Sequence, residues 1–407
     1  MTGISEKELE STNHDFDLGI VGFKYSDLFD AVKLRELAEK FYEELKQENA
    51  LLHKSLTEYI ETGGAAHEKR VESNILTDSA PYLSRFIGKM FGITKERGEL
   101  EREIQEQSPL WKYKFFVQRR AGKKYPAEKV TELNEAELTE ALREFKFAAF
   151  DETLVYDEEL AIAFVTNKLV EAEESLTKNQ EITAEIQETL NKISKAYDKL
   201  KEKTFGKVFE RNIIEIEGVG EILQVKAVLQ ILEAWSAIQF HERKKKWYAF
   251  KIPHPLDYQN LVHLIHPEPK LHNIMRGRER DMRRRDGFKL TDERGTQRDA
   301  LAEVDYCLIC HERDKDSCST GLREKDGAPK RNPLGIKTEG CPLDEKISEM
   351  HLLKRQGDSI GSLALVVIDN PMCAGTGHRI CNDCMKGCIF QKQEPVNIPL
   401  AETATLT

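Results

Sequence analysis

The first 306 residues of the chain contain no cysteine; all eight of its cysteines then fall between Cys307 and Cys388. Chance would scatter eight thiols over 407 residues. A stretch that collects them must use them together, by binding metal or by pairing as disulfides. They form two quartets. The first is Cys307-x2-Cys310-x7-Cys318-x22-Cys341, followed directly by Pro342, and the second is Cys373-x7-Cys381-x2-Cys384-x3-Cys388. Each quartet contains one CxxC pair, whose two intervening residues let the chain turn both sulfurs toward a single centre.

The C-x2-C-x3-C run that ends the second quartet has nearly the spacing of bacterial ferredoxins, and Cys341-Pro342 echoes the Cys-Pro that closes such runs. Eight thiolates are what two [4Fe–4S] clusters require. Two four-cysteine zinc sites are the alternative, because tetrahedral zinc accepts varied spacing. Spacing alone leaves both open. The CLICH stretch from Cys307 to His311 fits c-type haem attachment, but that chemistry needs export and leaves six cysteines without a role.

Bulk properties narrow the setting. Net charge is -10, with 32% charged and 40% hydrophobic residues, which argues against nucleic acid as partner. The start, MTGISEKELESTNHDF, lacks the basic and apolar regions of a signal peptide. The longest apolar run, Leu363–Ile368, is too short to span a bilayer, so no membrane association is expected. A cytoplasmic location follows, and in that reducing compartment clustered thiols bind metal rather than form disulfides.

Four regions are expected: a flexible tail over 1–24, a helical domain over 25–150, a long-helix region over 151–299, and a cysteine-rich domain over 300–407. Phe29, Val32, Leu34, Leu37, Phe41 and Leu45 recur at helical spacing. WKYKFFVQRR, Trp111 to Arg120, alternates aromatic and basic residues and predicts a half-buried strand. Over 157–204, Ile186, Leu190, Ile193, Tyr197 and Leu200 step 4, 3, 4, 3, a seam suited to a helical hairpin or to homo- or hetero-oligomer contacts. The Gly218–Gly220 GVG predicts a helix boundary. His254, His263, His266 and His272 lack ligand spacing and are expected at the surface or in the core. The arginine-rich run from Arg276 to Arg285 predicts a solvated helix face, or a patch for an acidic partner or a cofactor phosphate.

RICNDCMKGCIFQKQEPVNIPL resembles the cysteine-rich N-terminal segment of the glutamate synthase small subunit and dihydropyrimidine dehydrogenase families, down to the Pro395-Val396-Asn397-Ile398-Pro399 ending. The whole field, YCLICHERDKDSC through EPVNIPLAET, more closely resembles the corresponding part of long bacterial pyridine nucleotide-disulfide oxidoreductases. The resemblance covers about the last hundred residues. It implies that Cys307, Cys310, Cys318, Cys341, Cys373, Cys381, Cys384 and Cys388 ligate two [4Fe–4S] clusters, with quartets either in chain order or crossed. It also implies an FAD and NAD(P)H domain, yet no GxGxxG loop is present and GTG at Gly375–Gly377 cannot replace one. A split gene, a truncation or a separate flavin subunit is therefore expected. Those glycines would instead let backbone approach a cluster, with Asp383, Lys386, Arg379, His311 and His378 as neighbours. The expectation is a mainly α protein: a helical N-terminal region, then a small α-helical, loop-rich di-[4Fe–4S] cluster domain. It would transfer electrons as part of an NAD(P)H/FAD-dependent oxidoreductase and be inactive alone. The alternative is a zinc-stabilised helical interaction protein.

Overall fold

A computed structural model describes residues 15–149, 157–178, 182–200, 220–243, 245–277, 279, 282, 287–288, 294–376 and 379–406. The chain is mainly helical. In chain order the longer helices are α1 (Ala31–Glu48), α2 (Ala50–Thr62), α3 (Lys69–Phe91), α4 (Thr94–Glu106), α5 (Ser108–Phe116), α6 (Glu135–Ala149), α7 (Glu158–Lys178), α8 (Ala184–Leu200) and α9 (Glu221–His241). They are followed by α10 (Gln297–Val304), α11 (Ile347–Gln356), α12 (Ser359–Asp369) and α13 (Ile398–Leu406). Among the described residues the one sheet is a two-residue antiparallel pair, β1 (Leu264–Ile265) with β2 (Arg276–Gly277), registered Leu264 on Gly277.

Contacts divide the chain into two units, and the division does not follow chain order. One unit joins residues 1–105 to 254–407; the other is 106–253. The boundaries expected at 150 and 299 are not where this division falls.

In the first unit Asp30 starts α1 by accepting from the Val32 and Lys33 amides at 2.8 and 3.0 Å. Leu37, Phe41 and Leu45 then lie on one buried face, whereas Phe29, Val32 and Leu34 are exposed. That face shares a core with Leu76, Ala80 and Phe86 of α3, and with Leu353 of α11 and Leu365 of α12. The apolar run Leu363–Ile368 therefore lies in helix α12, packed on α3. Two polar contacts fix the same join. Ser84 donates to Asp358 at 2.5 Å, and Ser73 donates to Glu349.

Of the tail expected over 1–24, residues 1–14 lie outside the described residues and 15–24 are packed. Leu18, Ile20 and Phe23 are buried, and the Gly19 amide donates to the Met90 carbonyl at 2.8 Å. Three apolar side chains in six residues suffice to hold this segment against the end of α3.

In the second unit α9 is buried almost all round, from Val225 to Gln239. Its polar residues are satisfied. Ser236 meets the Tyr113 hydroxyl at 2.7 Å, Gln239 donates to Glu135 at 2.8 Å, and Glu233 takes ion pairs from Arg120 and from Lys124, the latter at 2.6 Å. WKYKFFVQRR is helical, not a strand: α5 leads into a single π-helical turn, Val117–Ala121. Leu110, Tyr113, Val117 and Ala121 are buried, at spacings of 3, 4 and 4. The hairpin expected over 157–204 is α7 against α8, with Leu190 and Ile193 buried, Ile186 and Tyr197 half-buried, and the Leu200 side chain outside the described residues. Gly220 caps α9 at φ 68; Gly218 lies outside the described residues.

Candidate metal centre

All eight cysteines are free thiols. Cys310, Cys318, Cys373, Cys384 and Cys388 are buried, Cys307 and Cys341 half-buried, and Cys381 exposed. Most of them form a core of their own with Tyr306, Ile347, Met350, Val366, Val396 and Ile398.

Short turns rather than long helices deliver these thiols. Between Cys307 and Cys310 the chain reverses at Ile309, whose φ of 50 is rare for a β-branched residue and aims its amide at the Cys307 sulfur, 3.4 Å away. Tyr306 stacks on Phe390 with centroids 4.5 Å apart, and its hydroxyl donates to the Glu394 carbonyl at 2.6 Å, so Cys307 is drawn to the Cys388 end of the chain. Arg355 pairs with Asp305 at 2.9 Å and donates to the Cys307 carbonyl at 3.1 Å.

The turn Ser317–Thr320 packs on the turn Asp383–Gly387. The Cys341 amide donates to the carbonyls of Cys318 and Ser319, at 2.9 and 2.8 Å. Two glycines permit this contact. A Cβ on Gly387 would lie 2.5 Å from the Ser317 carbonyl oxygen, and one on Gly340, where φ is 87, would lie 2.3 Å from that of Ser319. Close backbone approach thus rests on Gly340 and Gly387. At Gly375 only Met372 comes near, at 3.6 Å; Gly377 and His378 lie outside the described residues.

The thiols group across the quartets rather than within them. Cys307, Cys310, Cys318 and Cys388 line one cavity. Leu308, Ile347, Ile389, Phe390, Val396 and Ile398 complete its wall, together with Ser317 and His351. Burial pushes Cys307 up to about 12, against the Ile309 amide and with Cys388 and Cys310 adding to the rise. Cys310 is pushed up to about 11 by burial and then by Cys388, and Cys318 well above its ordinary value by burial, Asp316, Cys307 and Cys388. Of the remaining thiols, Cys341 and Cys384 feel Cys381, and Cys373 joins them through Glu345 and Glu402. Cys384 is raised by burial and then by Cys341 and Cys381, and Cys341 by burial, Glu345 and Cys381. Cys373 rises to about 12 through burial, its 2.7 Å bond to Glu402 and the Glu345 charge. Glu402 also raises Cys384.

Among the described residues no three His, Cys, Asp or Glu side chains are already arranged to hold a metal ion. The sulfurs are gathered, not closed around a point. The donor set nonetheless fits a sulfur-ligated centre. At neutral pH buried thiols with raised pKa values stay protonated, and only a bound cation makes four adjacent thiolates tolerable. Amides already point at the sulfurs: those of Leu343 and Glu345 at Cys341, of Met385 at Cys384, and of Ile389, Phe390 and Val396 at Cys388. Such N–H donors are the usual protein contribution to a cluster's potential.

Sequence reading missed Ser317, His351, Asp316, Glu345 and Glu402, which carry no spacing signal and reach the thiols only through the fold. Of the expected neighbours, Asp383 and Lys386 pair with each other at 2.7 Å on the surface, Arg379 donates to Asn397 at 2.9 Å, and His311 is buried beside Cys310. His263, His266 and His272 are exposed, and His254 is half-buried. Arg276 is exposed on β2, while Arg278, Arg280, Arg283, Arg284 and Arg285 lie outside the described residues.

Comparison with known proteins gives a partial likeness. Residues 18–92 match a family described as the RP005 N-terminal alpha-helical domain, which here spans α1 to α3. The chain is 26% identical over 338 residues, 80% of its length and 95% of the relative's, to "Uncharacterized protein RP005" of Rickettsia prowazekii (strain Madrid E). Over 35 residues it is 71% identical to "Uncharacterized protein RP006" of the same strain; those residues are 9% of this chain and 5% of that protein. No solved structure matches.

Proposed function

We propose that the chain is an electron-transfer module holding two [4Fe–4S] clusters, one at Cys307, Cys310, Cys318 and Cys388 and one at Cys341, Cys373, Cys381 and Cys384. The observation that carries this reading is the exchange between quartets. Cys388 joins the first group's thiols and Cys341 lies with the second's, the crossing that two-cluster ferredoxins use. When bound, such clusters accept and release single electrons. The chain's own residues bind them through thiolates, exclude water with Ile347, Phe390, Val396 and Ile398, and orient amides at the sulfurs.

The resemblance to long pyridine nucleotide-disulfide oxidoreductases supplies the partner: an FAD- and NAD(P)H-binding domain or subunit, which divides hydride chemistry into single electrons. We take the setting to be cytoplasmic. Among the described residues no helix is long and apolar enough to cross a membrane. Without a flavin partner the chain has no turnover with NAD(P)H. Adding such a partner to the reduced and oxidised chain, and following flavin and visible absorption together, tests this: coupled bleaching is expected, and independent behaviour contradicts it.

A further inference from the structure

The two thiol groups sit in unlike surroundings. His351 is fully buried on α11 and lines the cavity of Cys307, Cys310, Cys318 and Cys388, and among the described residues neither of its ring nitrogens has a hydrogen-bond partner. Ser317 lines the same cavity, is buried, and its hydroxyl is likewise unpartnered among the described residues. A buried polar group left unpaired costs about 1–3 kcal/mol. Two of them on residues that line one thiol-lined space call for an acceptor there, and sulfur atoms bearing negative charge are acceptors.

Charges differ as well. Arg355, Arg313 and Lys315 act on the first group against Asp316 and Glu303. The second group faces Glu345 and Glu402. Its nearby cation, Lys386, is paired to Asp383, as Arg355 is to Asp305 in the first group, but the first group also has Arg313 and Lys315 acting on it. Donors and positive charge favour the state with one more electron; carboxylates oppose it.

We propose that His351 and Ser317 donate hydrogen bonds to the centre held by Cys307, Cys310, Cys318 and Cys388. These donors hold it at a higher reduction potential than the centre beside Glu345 and Glu402, and so give the module a direction. This rests on the two-cluster reading above. The step is one electron: the centre at Cys341, Cys373, Cys381 and Cys384 is oxidised by one, the other is reduced by one, and no bond or proton moves. A reduced flavin of the partner would supply the electron, which the lower-potential centre would take first. His351 and Ser317 are positioning residues that act on potential.

The full chain, purified without oxygen, is titrated electrochemically while its visible and paramagnetic resonance signals are followed. Two waves are expected. His351→Leu should move the upper wave down by at least a tenfold change in its reduction equilibrium, which is about 59 mV for one electron. His351→Gln, which keeps an N–H donor, should restore most of that shift. Ser317→Ala should move the same wave in the same direction, and Glu402→Gln should raise the lower wave alone. Should His351→Leu not fold, these last two variants carry the test through their opposite shifts. Iron-loaded protein in which they leave the waves in place, or move the wrong one, overturns the direction while the clusters stand. A chain carrying zinc and no sulfide overturns both.

Discussion

Glu233 shows what one buried residue does here. Its carboxylate is wholly inside α9 and is held by Arg120 and Lys124, both partly in water. Glu233→Ala takes this carboxylate from Lys124 beside an apolar core, while Arg120 keeps Glu173. It should cost roughly 2–3 kcal/mol, below the ~3–5 of a fully buried pair because the partners remain partly solvated. Urea unfolding measures this, and a change near zero would contradict it. Lys354 gives a pH signature. Burial lowers its ammonium to about 8, while unfolded it keeps the ordinary 10.5. Between those values the unfolded chain binds more protons, so this group makes stability rise from pH 8 to 10.5, by at most about 1.4 kcal/mol per unit. The stability difference between wild type and Lys354→Met should therefore grow in favour of wild type across that window; a flat difference would count against it. Neither residue was legible in the sequence. Both sit at positions whose burial is set by helices distant along the chain.

At the scale of elements, the helices with one apolar face were readable, and α1 follows its pattern from Leu37 onward. WKYKFFVQRR misled because aromatic and basic residues alternate, which mimics the period of a strand. The residues that are in fact buried, Leu110, Tyr113, Lys114, Phe116, Val117 and Ala121, recur at helical spacings, but the half-buried Trp111 and the buried cation Lys114 obscure it. The cysteine spacing was legible, and crossed quartets were among the arrangements it left open, whereas the close contact between the turns depends on Gly340 and Gly387, which no motif marks. Gly387→Ala forces the Asp383–Gly387 turn away from Ser317, where the new Cβ would stand 2.5 Å from a carbonyl oxygen. A loss of about 1–3 kcal/mol is expected, with metal content falling at both sites together because the two groups share this contact. Thermal melting and metal analysis check it; an unchanged melt or loss at one site only would contradict it.

Across the whole molecule, space and chain order part company: residues 1–105 fold with 254–407, and 106–253 forms its own unit. Sequence reading divided the chain consecutively, because composition shifts mark segments and not the partners they meet in space. The fragment 106–253 should fold alone, with helical circular dichroism and no metal. Stripping metal from the full chain should loosen the core built on Cys318, Cys373, Cys384 and Cys388 while leaving that fragment's melt unchanged. The central claim is that the eight thiols hold iron and sulfide in two clusters. Its most direct test is analysis of iron, acid-labile sulfide and zinc in chain purified without oxygen. The account predicts a brown protein with about eight iron and eight sulfide per chain; a colourless one with about two zinc and no sulfide would contradict it.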